Sequence, residues 1–326
     1  RGYMVNECLD RMVKRGVISV VQRPGAVVLN LPPAAAGWAW TRRARSSVLP
    51  RVMLSVWIGL LLSLMALARL LVGRFGVPLS ILGPEEVRQQ EPALQAPVVG
   101  GVYYPKVAHV VNNFRFVQVL AEAARNHGAT LVADEVSGFE RTDGRVSAVV
   151  GRGGRYPCDG VVVAAGAWSK QLARQLGSRV PLDTERGYHL TIPHPGVELR
   201  QPLLSLERGF VATPLEIGMR VAGTDELGGL DLPPNWKRAE VIHHHVKRWF
   251  PALNGEGMTR WMGYRPSLPD SVPIVSASPK VANAWFAFGH GHLGLTMGAR
   301  TGELIAALVA GRDPGIDMAP FRVDRW

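Results

Sequence analysis

The chain has 326 residues, 47% of them apolar and 19% charged, enough to bury a large core and too apolar for wholesale disorder. Its formal net charge of +11 is no nucleic-acid signature, because residues 1–75 hold eleven basic residues against two acids, Glu7 and Asp10, leaving +2 for the remainder. Two distant cysteines, Cys8 and Cys158, exclude a disulfide framework and a thiolate metal cluster and suit a reducing compartment.

In chain order, residues 1–75 form an atypical basic and apolar segment. Val17–Gln22 has the composition of a strand, and Pro32, Pro33 and Arg42–Arg45 precede a charge-free run, Val52–Ala68, closed by Arg69. That run sits at the lower limit for a membrane span, and three readings stay open: a transmembrane helix, an interfacial anchor or a buried helix. A signal peptide is not expected, since the run begins far from residue 1. From Phe75 the texture changes. Gly83, Pro84, Glu85 and Glu86 predict a helix start. Asn112 or Asn113 can cap a helix through Asn126 with Val117, Leu120, Ala121 and Ala124 on one face. Ala129–Val132 reads as a strand, and 135–140 with 146–151 as a hairpin around Asp143 and Gly144. The run Val161–Ala165 reads as a strand buried on both faces. Tyr188–Ile192, Gly209–Pro214 and Met219–Gly223 are short strands of an antiparallel sheet, followed by a helix at Arg238–Trp249 that Pro251 stops. Trp285–Phe288 is a strand, and Thr296–Val309 a helix ended by Gly311.

Three features carry chemistry. Residues 289–294 read Gly-His-Gly-His-Leu-Gly between strand and helix, where glycines admit a ligand and the helix N-terminus offers free N–H groups. Too little chain follows for a complete βαβ unit, so Gly289, Gly291 and Gly294 are expected to serve something other than the usual diphosphate. Arg265, fixed by Pro266 in an extended stretch, could grip a carboxylate with paired hydrogen bonds. Gly166, Ala167 and Trp168 close a strand, a place where nucleotide ligands lie in open α/β sheets. His243, His244 and His245 are successive on a helix and cannot share an ion, so they are expected on a solvated face and no metal site is expected.

From about residue 76 onward these segments resemble the D-amino-acid oxidase-like flavoprotein superfamily, most closely the D-amino acid dehydrogenases. The resemblance rests on 261–274, on 286–296 with Thr301 and Gly302, on 162–169, on 185–189, on 220–224 and on 75–87. It implies an α/β (α+β mixed) fold with an incomplete Rossmann-like FAD-binding domain, 106–177 and 261–316, beside an antiparallel-sheet substrate domain, 76–105 and 178–260, and a tail at 317–326. It implies FAD and hydride transfer from a D-amino acid to flavin, giving a 2-oxo acid and ammonia. Glycine or sarcosine oxidation, and a non-catalytic membrane-associated fragment, are the alternatives. Arg265 would bind the substrate carboxylate and Tyr188 line the pocket. Gly289, Gly291, His292, Gly294, Leu295 and Thr296 would face the flavin, whose reduced ring carries negative charge suited to a helix N-terminus. Val136, Ala165, Gly166 and Trp168 would line the adenine and diphosphate side. The resemblance further implies a quinone or other electron acceptor and a cytoplasmic protein able to meet the inner face of the cell membrane. One departure stands out: residues 1–75 contain no G-x-G-x-x-G loop for the FAD diphosphate, so weak FAD affinity is expected.

Overall fold

A computed structural model describes residues 25–30 and 73–326. The strand expected at Val17–Gln22 and the apolar run Val52–Ala68 lie outside the described residues. Among the described residues no helix is long and apolar enough to cross a membrane.

The described residues begin with strands β1 (Gly25–Asn30), β2 (Ser80–Leu82) and β3 (Val98–Tyr104). A small antiparallel meander follows, β4 (Val136–Thr142), β5 (Arg145–Gly151) and β6 (Arg155–Pro157). Asp143 and Gly144 both take positive φ, 52° and 76°, as its tight hairpin turn requires. Next come β7 (Val161–Val163), β8 (Asp183–Ile192), β9 (Leu203–Ser205), β10 (Phe210–Leu215) and β11 (Gly218–Leu227). The last strands are β12 (Thr259–Ser267), β13 (Ile274–Ala277) and β14 (Ala284–Phe288). Among the described residues five α-helices intervene: α1 (Pro84–Gln90), α2 (Asn113–Asn126), α3 (Ser169–Gln175), α4 (Lys237–Trp249) and α5 (Gly294–Val309).

The largest sheet has eight strands in the order β12-β8-β11-β10-β9-β1-β3-β2. All its neighbours are antiparallel except β1 and β9. A second sheet, β13-β14-β7, pairs β7 with β14 in parallel, so both strands end on the same edge. The fold is therefore mixed α/β, with a large, mainly antiparallel sheet and a separate helix-flanked one.

Packing follows the sequence periods. In α4, Ala239, Ile242, Val246 and Trp249 recur at helical spacing and are buried on β8 and β11 together with Tyr188, Leu190, Ile192, Met219 and Val221. Each fully buried large apolar side chain here contributes about 1.5–3 kcal/mol. Helix α2 is capped as expected: the Asn112 side chain accepts a hydrogen bond from the Arg115 amide at 2.9 Å. Helix α5 ends on Gly311 (φ 64°), where the Arg312 and Gly311 amides donate to the Ala307 and Leu308 carbonyls. Asn283, buried, clasps two segments: it accepts from the Val146 amide and donates to the Val146 and Asp159 carbonyls at 2.7–2.9 Å. The C-terminal residues pack back, with Val323 buried and its amide donating to Ser276 Oγ at 3.1 Å.

Three local expectations need correction. Ala129–Val132 is not a strand; Leu131 and Val132 are exposed, and a run of that length needs a partner strand. Val161–Ala165 is a strand only to Val163, and Val162 is exposed, because among the described residues β7 lies at an edge of its sheet. The three histidines do not share a solvated face: His245 stacks on Phe210, and of the three only His244 is exposed.

Candidate functional site

The site is built on the unequal faces of β8. Thr184, Arg186, Tyr188, Leu190 and Ile192 are buried, whereas Glu185, His189 and Thr191 stand half-buried on the opposite face. Tyr188 therefore does not join Arg265 in a pocket. Its hydroxyl donates to Glu226 Oε2 at 2.5 Å and accepts from the Asn235 amide at 2.9 Å, on the core side of the sheet. Arg186, fully buried beside it, donates to the carbonyls of Gly228, Gly229 and Pro233 at 2.8–3.1 Å, with Glu226 Oε2 at 3.9 Å. Those partners satisfy a charge that would otherwise be costly to bury.

On the open face, two glycines make a notch. Gly187 of β8 and Gly263 of β12 are direct cross-strand partners. A Cβ on Gly187 would fall 2.2 Å from Arg265 Nη2 and 2.3 Å from its Cζ, so the guanidinium lies flat where a side chain would stand. The indole of Trp261 covers Gly263 in the same way, 2.0 Å from where its Cβ would be. Trp261 also stacks on His189, with ring centres 4.8 Å apart and planes at 24°. Arg265 is ion-paired with Asp225, the β11 residue opposite Gly187. Burial, and then the nearby Arg220 charge, lower the His189 pKa to about 4, so its imidazole is neutral at ordinary pH.

The glycine-rich turn abuts this notch. Gly289 and Gly291 have φ of 85° and 52°, and a Cβ on Gly289 would strike Leu268 Cδ1 at 2.4 Å, so glycine is required there. His292 Nε2 lies 3.2 Å from Glu185 Oε2, tying the turn to β8. His290 instead pairs with Thr301 Oγ1 at 2.9 Å, and its burial lowers its pKa. Helix α5 then starts at Gly294, directly after Gly291–Leu293 and with no side-chain cap, so its positive end lies beside Leu295 and Thr296. Both Gly166–Trp168 and Gly291–Leu293 pack on β12, and the Trp168 ring meets Tyr264 edge-on at 5.6 Å. Glu185, Asp225 and His292 hold ligand atoms within 4.8 Å of one another, but the Arg265 guanidinium already engages Asp225 there.

The strand-turn-helix and the cation beside it agree with a match to a family of known proteins. The model of the family described as FAD dependent oxidoreductase matches residues 39–308. The chain belongs to that family. The match begins upstream of residue 75 and so takes in part of a segment that shows no family motif to the eye. Among curated members, the D-amino-acid oxidase of Bradyrhizobium diazoefficiens is 38% identical over 257 residues, 78% of this chain and 61% of that protein. The D-amino acid dehydrogenase of Paramagnetospirillum magneticum is 35% identical over 266 residues, 74% of this chain and 59% of that one. The chain thus spans about 60% of the length of these relatives. The fold is also that of glycine oxidase from Geobacillus kaustophilus, with a TM-score of 0.75 at 20% identity over 100% of this chain and 81% of that one.

FAD is the cofactor of this family, and the turn end of the site fits a flavin ring. Ser267 Oγ is buried without a hydrogen-bond partner among the described residues and lies 3.6 Å from where a Cβ on Gly291 would be. The N-terminal end of α5 adds its positive potential. Gly166 (φ 55°) has open space around its Cβ position, Ala165 is half-buried beside it, and Trp168 is exposed. Val136 is exposed at the start of β4 in the small meander. Sequence reasoning missed the glycine notch, Trp261, His189 and Asp225.

Proposed function

We propose that this chain carries the substrate-binding and flavin-ring portion of a FAD-dependent enzyme that deaminates D-amino acids oxidatively to 2-oxo acids and ammonia. One observation supports this most: a guanidinium laid over a glycine notch, directly beside the glycine-rich turn. FAD, when bound, supplies a two-electron acceptor.

The chain's own residues supply orientation. Arg265 offers a planar, paired donor set for the α-carboxylate, and Asp225 holds that fork in the notch until a substrate carboxylate takes its place. Binding at Arg265 directs the rest of the substrate toward Trp261 and His189 on one side and the turn on the other. The indole and the neutral imidazole form an uncharged wall beside that site. Gly291, His292, Gly294, Leu295 and Thr296 would hold the ring end of the cofactor, and Ala165, Gly166, Trp168 and Val136 its nucleotide side. The segments 178–260 and 76–105 form the substrate domain in this reading.

Full-length chain reconstituted with FAD and mixed without oxygen with D- or L-alanine tests the proposal through loss of flavin absorbance. Bleaching by the D-isomer is expected, with KM raised about tenfold or more in Arg265→Met. Equal bleaching by both isomers, or an unaltered KM in the variant, would sink it.

A further inference from the structure

Among the described residues Arg220 is a cation without a counter-ion. It lies on β11 opposite Thr191, half-buried, and its Nε donates to Thr191 Oγ1 at 3.4 Å. Among the described residues no carboxylate forms an ion pair with it, although its partial burial withdraws it from water and lowers its pKa. Removing a charge from solvent without pairing it is unfavourable, and such a group is a candidate anion receptor. Arg186, by contrast, is fully buried and saturated by carbonyls.

Arg220 also faces the same side of the sheet as Arg265. The Arg265 guanidinium lies over Gly187, and Arg220 lies beside Thr191. Those two positions are four residues apart on β8, or about 13 Å at about 3.3 Å per residue. Between them lie His189 and the Trp261 ring stacked on it. The four C–C bonds of a five-carbon dicarboxylate span about 5 Å. A charge-assisted hydrogen bond at each end adds about 4 Å from carboxyl carbon to guanidinium carbon, for about 13 Å in all.

We propose that Arg220 is a specificity-determining group that receives a second carboxylate, so that the preferred substrates are acidic D-amino acids of the aspartate and glutamate type. The indole and imidazole wall guides the methylenes between the two cations. The inference rests on the D-amino-acid reading above, and its test separates the two.

The first arm compares kcat/KM for D-glutamate, D-glutamine and D-alanine in FAD-reconstituted full-length chain. D-Glutamate should exceed D-glutamine about tenfold or more, since truncating one partner of a charged hydrogen bond commonly costs that factor. In Arg220→Gln the ratio of D-glutamate to D-alanine should fall about tenfold, and Arg220→Lys should retain part of it. The second arm needs no turnover: glutarate and butyrate are titrated into the same protein by calorimetry. Glutarate should bind about tenfold more tightly in the parent and lose that advantage in Arg220→Gln. Equal affinity of the two acids in the parent overturns the inference without reference to any variant's stability. A retained glutarate preference with no flavin reduction by any D-amino acid would defeat the functional reading and leave the anion subsite standing.

Discussion

Replacing Gly187 with alanine isolates the notch from the fold. The new Cβ would lie 2.2–2.6 Å from three guanidinium atoms of Arg265, the nearest atoms to it outside its chain neighbours. A flexible side-chain end must therefore move, while the backbone and core stay in place, and the stability change should stay within about 1 kcal/mol. Displacing the fork from β8 removes paired charge-assisted hydrogen bonds to the substrate carboxylate, each worth about 1.5–3 kcal/mol. At about 1.4 kcal/mol per decade, losing one such bond raises KM by about tenfold to a hundredfold. The assay is steady-state oxidation of a D-amino acid, with thermal denaturation in parallel. A Gly187→Ala protein that melts like the parent and keeps its KM would falsify the assignment of Arg265 to the carboxylate.

Three further outcomes follow from other contacts. Asp225→Asn releases Arg265 from a half-exposed ion pair worth about 0.2–1 kcal/mol, so carboxylate inhibitors should bind up to about fivefold more tightly by calorimetry. Arg186→Met leaves the carbonyls of Gly228, Gly229 and Pro233 without their buried donor; urea unfolding should show a loss of about 1–3 kcal/mol. His189 is neutral when folded down to pH about 4 but takes a proton near 6.5 when unfolded. Between those values the unfolded state holds more protons, so stability rises with pH across that window and is lost as pH falls. The bound is about 3 kcal/mol and about half that once its partial exposure is allowed for; His189→Gln should flatten that share of the slope in pH-dependent urea melts.

Local signals were legible and cross-strand ones were not. The glycine spacing at 289–294 marks a turn whose φ values, 85° and 52°, only glycine adopts without strain, so the strand-turn-helix could be read directly. Asn112, Asp143 and Gly311 were readable for the same reason: each side chain or φ acts within a few residues. Tyr188 was misplaced because its neighbours in sequence were weighed without their alternation. Tyr188, Leu190 and Ile192 share one face by the period of two, and that pattern could have assigned the tyrosine to the core. No local pattern could show that Gly187 meets Gly263, that Asp225 reaches Arg265, or that β1 inserts between β9 and β3. Those facts belong to register, which the whole sheet sets.

The strand that joins both halves of the site is β12. Among the described residues it lies at one edge of the large sheet, pairing with β8 alone, which is why Pro266, with no N–H to give, is tolerated inside it. Trp261, Gly263, Arg265 and Ser267 alternate along it, so notch wall, notch floor, the proposed carboxylate receptor and the unpartnered hydroxyl beside Gly291 fall on one face in that order. Its other contacts are with Gly166–Trp168 and Gly291–Leu293. A slip of one residue against β8 would turn all four side chains to the core and bring Tyr264 and Pro266 to the turn. In the proposed reading, the alignment of substrate and cofactor subsites is thus a property of β12 register, set where Gly187 of β8 meets Gly263.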